Sequence, residues 1–503
     1  MRRGRRAPAP QAKPLAGPPR QLSHPFTPQR LFPDDRIAAM HDLALKVLEE
    51  LGMKILLPEA CRIFAAAGAR VEGEMVFIGR DIVAAALDSA PKRIAMKAPN
   101  PDWSRDVAPG RVIFTPGGGC PNVFDRVRGR RPGDLQAYRE AQMLVQSFGV
   151  LHKTAAAPEP QDVPVELRHY AVLEAQLGLT DKPVFVAGRG RAQVMESFDL
   201  LRLALNLTDD EFEAGAWTST VVNTNSPRLL DRPMAEALID FARAGQMSIV
   251  TPFCLAGAMA PITVAGALVL QHAEALAGIA LTQLARPGAP VMYGGFGSNV
   301  DMRSGAPAFG TPEHVQMQLG SGQLARHIGL PWRSAAGTAA NVSDAQAAGE
   351  THMSLWGALM AGATLVVHAA GWLEGGLTLG FEKLVLDVEA LRILEHLCTP
   401  PDDSDAALGF DALAEVAPGG HFFDTGQTMA RYRDAFLPPL VADLSNYGSW
   451  EAAGQQRADE RATAIWQGIL RDFTPPDGAG ERLERMADYI ARGRARGGAA
   501  VVA

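Results

Sequence analysis

The chain has 503 residues, of which 47 % are hydrophobic and 20 % are charged, and its formal net charge is −7. This composition is ordinary for a folded globular protein, and it excludes a mainly disordered chain, a coiled coil, a collagen-like fibre and a disulfide-stapled scaffold. Residues 1–33 hold seven basic groups and no acidic ones, so the remainder is strongly acidic and we expect no nucleic-acid partner.

The N-terminal region is predicted to be a tail followed by a helical leader. Residues 1–33 combine their basic charge with eight prolines, which favours a disordered, solvated tail. No apolar segment follows the arginines, so a signal peptide is not expected. Residues 34–108 are predicted as a helical leader, with helices over 35–48 and 81–89 and a short hairpin over 70–78.

From residue 109 to 376, short apolar runs alternate with helical patterns. Eight strands that alternate with helices over about 260 residues predict a (β/α)₈ TIM barrel of the α/β class. A doubly wound open sheet is the alternative, but it has fewer strands, and no Gly-x-Gly-x-x-Gly follows the first run. The predicted strands lie at 111–115, 151–156, 183–187, 217–222, 248–253, 290–293, 332–336 and 364–369.

The last part of the chain, residues 377–503, is predicted as a C-terminal helical extension wrapped on the barrel. The most apolar stretch, 357–373, is short for a bilayer and is interrupted by His368, so no membrane partner is expected. The four cysteines lie far apart, without a Cys-x-x-Cys pair. Their spacing favours reduced thiols in a cytoplasmic protein over a zinc site or a disulfide framework.

Aromatic side chains are few, yet several lie in or just after predicted strands. In a barrel, function is concentrated where strands end and the following loops begin. Rings at that position can form a cage for a quaternary ammonium ligand, because the negative face of a ring attracts a cation. Ordinary core packing is the alternative for each ring. The candidate substrate-binding rings are Phe253, Tyr293, Phe296, Trp332 and Trp372.

Three polar residues are candidates for a catalytic role. His368 lies near the end of the eighth strand, where a base or a buried structural histidine would both fit. Asp301 and Glu374 lie in the loops after the sixth and eighth strands, where each could orient a ligand or form an ion pair that holds its loop. No histidine pair has metal-ligand spacing, so no tightly bound metal is predicted. Lys153 is the lysine nearest to a strand end.

Several longer segments resemble the trimethylamine methyltransferase family. The resemblance extends over about residues 30–480 and is strongest over 220–390. The segments that carry it are APITVAGAL (260–268), GAPVMYG (288–294), GTPE (310–313), SDAQAAGE (343–350), GWLEGGLT (371–378) and FEKLVLD (381–387).

The resemblance implies a barrel enzyme that moves a methyl group from a methylamine to the cobalt of a corrinoid (cobalamin) carried by a separate small protein. Archetypal members carry pyrrolysine shortly after a Gly-Thr pair. Here Gly337 and Thr338 are followed by Ala339, and no pyrrolysine is present. The chain is therefore similar to the branch without pyrrolysine, which acts on quaternary amines such as glycine betaine. Barrels of this kind often form homo-oligomers, and we expect one here.

A quaternary ammonium is a better methyl donor than a tertiary amine, because it leaves as a neutral amine. Co(I) in a corrinoid is a strong nucleophile that needs no base, so the protein mainly positions and desolvates the reactants. We expect a loose aromatic cage together with a few polar groups for the substrate carboxylate. The candidates for those polar groups are Asn223, Asn225 and Arg303.

Two alternatives share the same barrel. One is a methyltransferase with a different donor, such as a larger betaine, or with tetrahydrofolate as the direct acceptor. The other is a non-catalytic protein that binds a betaine or regulates in response to it.

Overall fold

The structure, a computed structural model, describes residues 20–154 and 156–501. Its first part mixes helices with short strands, so the predicted helical leader is incomplete. Strands of three residues carry too few side chains for a periodicity to be read from sequence. The elements are β1 (Leu22–Ser23), α1 (Asp34–Lys46), β2 (Met53–Ile55), α2 (Pro58–Ala66), β3 (Arg70–Glu72), β4 (Met75–Phe77), α3 (Arg80–Ser89), β5 (Ile94–Met96) and β6 (Arg105–Val107).

The described part of the predicted tail, residues 20–33, is bound to the rest of the protein, which corrects the expectation of disorder there. The strand β1 pairs antiparallel with residues 111–112. The side-chain oxygen of Gln323 accepts hydrogen bonds from the backbone N–H groups of Leu31 and Phe32, at 2.8 and 3.0 Å. Residues 1–19, the rest of that prediction, lie outside the described residues.

The central part of the chain alternates strands with helices. Its elements are β7 (Arg111–Phe114), β8 (Asn122–Asp125), β9 (Gly129–Pro132), α4 (Leu135–Ser147), α5 (Arg168–Leu179), β10 (Val184–Phe185), α6 (Arg191–Leu205), α7 (Asp209–Glu213), β11 (Thr218–Val222), β12 (Leu229–Leu230), α8 (Arg232–Arg243), β13 (Met247–Val250), β14 (Phe253–Ala256), α9 (Val264–Ala285), β15 (Val291–Gly294), β16 (Phe296–Val300), β17 (Pro307–Ala308), α10 (Pro312–His327), β18 (Trp332–Ala335), α11 (Ala345–Met360), β19 (Leu365–Val367), β20 (Trp372–Leu373) and β21 (Thr378–Gly380).

Seven of these strands and β1 form one curled sheet, in the order β1-β7-β19-β18-β15-β13-β11-β10. All pairs within it are parallel except β1 with β7. Seven of the eight predicted strands are present in the described residues. The eighth, 151–156, is not assigned as a strand, but its backbone bonds to both edges: His152 N–H donates to Phe114 O (2.9 Å) and Thr154 N–H to Pro183 O (3.2 Å).

Inside the curl, an apolar cluster fills the amino-terminal half and leaves the carboxyl ends of the strands free for a site. It includes Ile113, Ile249, Met292 and Leu365 from the sheet, with Met96 from the β5–β6 hairpin beneath them. Each of these side chains is at most 4 % exposed. Alternate residues on a strand point to opposite faces, so the neighbouring residues pack outward against the helices.

Helix α9 is the most apolar helix on the outside of the sheet. By length and composition it could cross a membrane, yet 83 % of its most apolar 18-residue window is buried inside the protein. The stretch 357–373, predicted as the most apolar one, is divided between the end of α11 and β19.

The C-terminal extension is helical, as its patterns indicate. Its first helix carries a buried carboxylate, Glu382, which accepts hydrogen bonds from the Trp466 indole and the Thr463 hydroxyl, both at 2.8 Å. In the part of the chain between Glu382 and Thr463, several large apolar side chains are exposed, among them Phe423 and Phe436. The helices are α12 (Phe381–Leu397), α13 (Asp405–Leu408), α14 (Phe410–Glu415), α15 (Gly426–Arg431), α16 (Tyr447–Ala452), α17 (Ala458–Asp472) and α18 (Ala479–Ala495).

A buried lysine holds the turn after α4, and this turn leads directly into the segment 151–154 beside the sheet. The ammonium of Lys182 donates to the carbonyl oxygens of Val145, Phe148 and Leu151, at 2.5, 2.9 and 2.7 Å. An ammonium has three donors, so all of them are used here.

Replacing Lys182 with methionine removes three buried hydrogen bonds of roughly 1 kcal/mol each, so we expect the free energy of unfolding to fall by about 2–4 kcal/mol. Urea unfolding followed by circular dichroism measures this loss. The control is Lys92→Met, which removes an exposed lysine that donates to a single carbonyl, Leu87 O. Similar losses in the two variants would contradict the role given to Lys182.

Candidate active site

A cavity of about 690 Å³ lies at the carboxyl ends of the parallel strands. Its walls come from five strands of the curled sheet, from Lys153, Thr154 and Ala156, and from the loops that follow the strands. No aspartate or glutamate is among the described residues that line it, whereas three cations are. The residues used below are Lys153, Phe185, Arg189, Asn223, Asn225, Ser226, Phe253, Phe296, Arg333, His368 and Trp372.

The guanidinium of Arg333 is the dominant charge of the cavity. The side chain belongs to β18, is 1 % exposed and has no carboxylate partner among the described residues. Its Nε and Nη1 have no hydrogen-bond partner among the described residues, while Nη2 lies 3.1 Å from Nε2 of His368. Burial lowers the pKa of Arg333 to about 9, so the group is still charged at neutral pH. A buried cation of this kind is costly unless a ligand supplies the missing anion.

His368 sits between two donors and cannot satisfy both. Its Nδ1 accepts from the Gly118 N–H at 3.2 Å, and its Nε2 faces Arg333. Burial, followed by the charge of Arg333, holds the pKa of His368 well below its usual value, so the ring is neutral. A neutral imidazole has one acceptor nitrogen, which leaves part of the donor capacity at this position unmatched.

One aromatic ring of the cavity faces the guanidinium, and two further rings pack against that one. The centroid of Phe296 lies 4.6 Å from the Arg333 guanidinium carbon, 4.8 Å from the Phe253 ring and 5.9 Å from the Trp372 ring. Trp372 is buried, and its Nε1 has no acceptor. A Cβ on Gly337 would lie 2.2 Å from that ring, so only glycine allows it to sit there.

The loop after β11 forms another wall and is held from behind by a buried carboxylate. Glu274 of α9 accepts hydrogen bonds from the Thr224 and Ser226 hydroxyls, at 2.5 and 2.6 Å, and from the Arg228 N–H at 2.7 Å. Asn223, in the same loop, donates to the Thr251 carbonyl at 2.9 Å. The loop is therefore fixed before any ligand binds.

A protein-family model described as trimethylamine methyltransferase matches residues 1–498 of the chain. The chain belongs to the trimethylamine methyltransferase family. It is 32 % identical over 464 residues to the glycine betaine methyltransferase of Desulfitobacterium hafniense (strain Y51), covering 92 % of this chain and 96 % of the relative.

A second relative is the proline betaine:corrinoid methyltransferase of Eubacterium limosum, 30 % identical over 418 residues, which are 79 % of this chain and 84 % of that protein. Among solved structures, the monomethylamine methyltransferase of Methanosarcina barkeri is similar at a TM-score of 0.48 and 8 % identity, covering 92 % of this chain and 88 % of that one. The protein is thus a methyltransferase, as the resembling segments imply.

In this trimethylamine methyltransferase family member, six of the residues predicted as site residues line the cavity. They are Asn223, Asn225, Phe253, Phe296, His368 and Trp372.

Two predicted rings lie elsewhere. Tyr293 points outward from β15, where its hydroxyl contacts Nδ1 of His272 at 3.1 Å, and the Trp332 indole donates to the Gly362 carbonyl at 3.0 Å. The prediction for both rings rests only on their position near a strand end. It does not use the rule that successive side chains of a strand point to opposite faces of the sheet.

The predicted carboxylates and Arg303 are also outside the cavity, which corrects their assignment. Asp301 is exposed and accepts hydrogen bonds from the backbone and hydroxyl of Ser304, at 3.0 and 2.6 Å, so it caps its own turn, and Arg303 is exposed beside it. Glu374 forms a bidentate ion pair with Arg130, at 2.9 and 3.0 Å, which holds its loop.

Arg333 and Lys153 are the functional candidates that the sequence did not select as site residues. Both lie within apolar runs that were correctly associated with the sheet. A charged residue inside such a run could have indicated a binding site, because a buried charge needs a partner or a ligand. In the described residues, no group of three or more metal-ligating side chains is placed to hold a metal ion.

The ion-pair role of Glu374 can be separated from a catalytic one. With Glu374→Gln we expect the turnover number to stay within about threefold of the unmodified enzyme, whereas loss of a general acid or base costs about a hundredfold or more. Arg130→Gln, which breaks the same pair from the other side, should have an equally small effect. A hundredfold loss in Glu374→Gln alone would restore Glu374 as a catalytic residue.

Proposed function

We propose that this methyltransferase takes its methyl group from a zwitterionic quaternary amine of the glycine betaine type and passes it to the Co(I) of a corrinoid held by a separate protein. The observation that carries the proposal is the buried Arg333 guanidinium, which faces the cavity without an anionic partner. The names of two relatives, glycine betaine methyltransferase and proline betaine:corrinoid methyltransferase, support the same class of donor and acceptor.

The charge of the cavity favours a zwitterion over a simple cation. A methylammonium ion would enter a site that holds a guanidinium and no described carboxylate, and this repulsion is strong where water is excluded. A carboxylate on the substrate removes the conflict, since it pairs with Nε and Nη1 of Arg333 in the bidentate geometry that guanidinium groups favour.

The rings at the mouth fit the other end of such a substrate. Phe253, Phe296 and Trp372 lie together and can present ring faces to a quaternary ammonium, which is attracted to the negative face of an aromatic ring. The cation disappears as its C–N bond breaks toward nitrogen and a neutral tertiary amine leaves. A very strong cage would therefore stabilise the substrate more than the transition state, and an open group of rings serves the reaction better.

The cysteines beside this cavity do not offer a good methyl acceptor. Cys120 and Cys254 are buried beside it, and burial raises the pKa of both thiols, that of Cys254 well above its usual value, so neither is a thiolate. This fits an acceptor that arrives from outside. When bound, the Co(I) of a corrinoid supplies the electron pair that takes the methyl group. The protein's part is to orient the donor and to exclude water.

We also infer that the curled sheet closes into the (β/α)₈ barrel. The segment 151–154 lies between the two edges of the parallel strands and bonds to each of them. It is followed by α5, as every parallel strand is followed by a helix, and this alternation supports eight βα units.

Arg333→Met should weaken glycine betaine binding about a hundredfold or more, because charge-assisted hydrogen bonds to the carboxylate are lost. Tetramethylammonium, which has no carboxylate, should bind at least as well as before. Isothermal calorimetry measures both. Arg303→Met removes an equal charge from the exposed turn and should change neither. Equal weakening of the two ligands by Arg333→Met would contradict a carboxylate site.

The activity itself is tested with purified enzyme and Co(I)-cobalamin, followed by absorbance, with a panel of N-methylated donors. We expect betaines to be demethylated to dimethylated amines, and trimethylamine and tetramethylammonium to be poor donors. Methyl transfer to tetrahydrofolate in the absence of any corrinoid would select the direct acceptor instead. Tight betaine binding without transfer to any acceptor would identify a binding protein and overturn the proposal.

A further inference from the structure

A second cation, Lys153, lies in the same cavity and is not used by the proposed function. Its side chain is 5 % exposed, its ammonium donates to the Ser219 hydroxyl, and it lies 5.1 Å from the centre of the Phe185 ring. No carboxylate pairs with it among the described residues. Arg189, the remaining cation of the lining, is already paired with Glu159.

The other buried lysines of the described chain show how unusual this is. Lys182 uses its three donors on three carbonyl oxygens. Lys383 donates to the Asp387 carboxylate and to the Thr351 hydroxyl. Lys153 has one hydroxyl partner, so two of its three donors are without a described acceptor, and its side chain lines the cavity.

The two unpaired cations are held on different walls. The ammonium of Lys153 leans toward Ser219 of β11, whereas the guanidinium of Arg333 leans toward His368, at the end of β19. In the sheet, three strands separate β19 from β11. The two oxygens of one carboxylate share a single carbon, so a single carboxylate is poorly suited to satisfying cations that are turned toward separate walls.

We propose that Lys153 is a second anion anchor, and that the preferred methyl donor is a betaine with two carboxylates, one bound by Arg333 and the other by Lys153. The assignment rests on the proposed function and narrows its substrate class. The lining supports it: the Arg333 guanidinium and the Lys153 amine, which becomes charged when a carboxylate binds beside it, face a cavity with no described carboxylate in its lining, and they match a ligand with two negative groups and one quaternary nitrogen. The cavity volume of about 690 Å³ also leaves room beyond a donor as small as glycine betaine.

Burial lowers the pKa of Lys153 to about 7, and no other charge contributes. In the empty cavity at pH 8 the amine is therefore mostly neutral. A carboxylate beside it favours the charged form, so binding draws a proton from solution. This proton uptake is a signature that simple packing of Lys153 would not produce.

The test compares two donors that differ by one carboxylate: N,N,N-trimethylalanine and N,N,N-trimethylaspartate. Calorimetry on the full chain without corrinoid should show the dicarboxylate binding at least about tenfold more tightly. At pH 8, in two buffers of different ionisation enthalpy, only the dicarboxylate should bind with proton uptake. Lys153→Met should abolish both the preference and the uptake, and change trimethylalanine binding less than about threefold.

Lys153→Arg, which keeps a charge at the same position, should retain part of the preference but show no proton uptake. Circular dichroism establishes that the variants are folded. If Lys153→Met weakens both donors equally, Lys153 shares a single carboxylate with Arg333 and the second anchor is overturned. If trimethylalanine binds and is demethylated while the aspartate compound has no advantage, this inference fails and the proposed function stands. If neither compound binds, both fail.

Discussion

A guanidinium buried without an anion is the constraint on which the site of this protein depends. Removing Arg333 from water costs several kcal/mol, and in most buried ion pairs a carboxylate offsets that cost. Here the neighbours are a neutral histidine and the face of Phe296, which soften the penalty without removing it. Within the described residues the site is therefore electrostatically incomplete, and the carboxylate of the proposed substrate would complete it. The hydrogen bonds and the ion pair that Arg333 does not form with the described residues are therefore available to a ligand.

Holding such a charge in place needs a rigid surround, and the backbone supplies it in unusual ways. His368 has a φ of +62°, in the left-handed region that costs a non-glycine residue about 1 kcal/mol or more. Trp372 packs against Gly337 and Gly376, where any side chain would collide with the ring. On another wall, Glu274 fixes the loop after β11 through hydroxyl and backbone donors. Strain of this kind lowers the stability of the fold, and the surrounding contacts hold the cavity open and its polar atoms in position.

Much of the scaffold could be predicted from sequence, because long helices and apolar runs carry clear periodicities. The alternation of strands with helices over 109–376 and seven strands of the curled sheet follow from these patterns. Short strands such as β5 and β6 could not be foreseen from three residues. The site was foreseen in part. Rings after strand ends were identified, but Tyr293 shows that proximity to an end does not fix the face. Arg333 was not predicted as a site residue, because a single charged residue in an apolar run belongs to no recognisable motif or spacing.

The two sides of the cavity differ in how much change they can absorb. On the Trp372 side, five positions between 368 and 376 have left-handed backbone, and the ring is pressed between glycines. On the Lys153 side, the groups are ordinary strand side chains of the sheet, Ser219 and Phe185. Redesign of donor preference in this enzyme is therefore best directed at the lysine wall. Over evolutionary time the same asymmetry would let changes in donor preference accumulate at that wall, while the aromatic side of the cavity stays as it is.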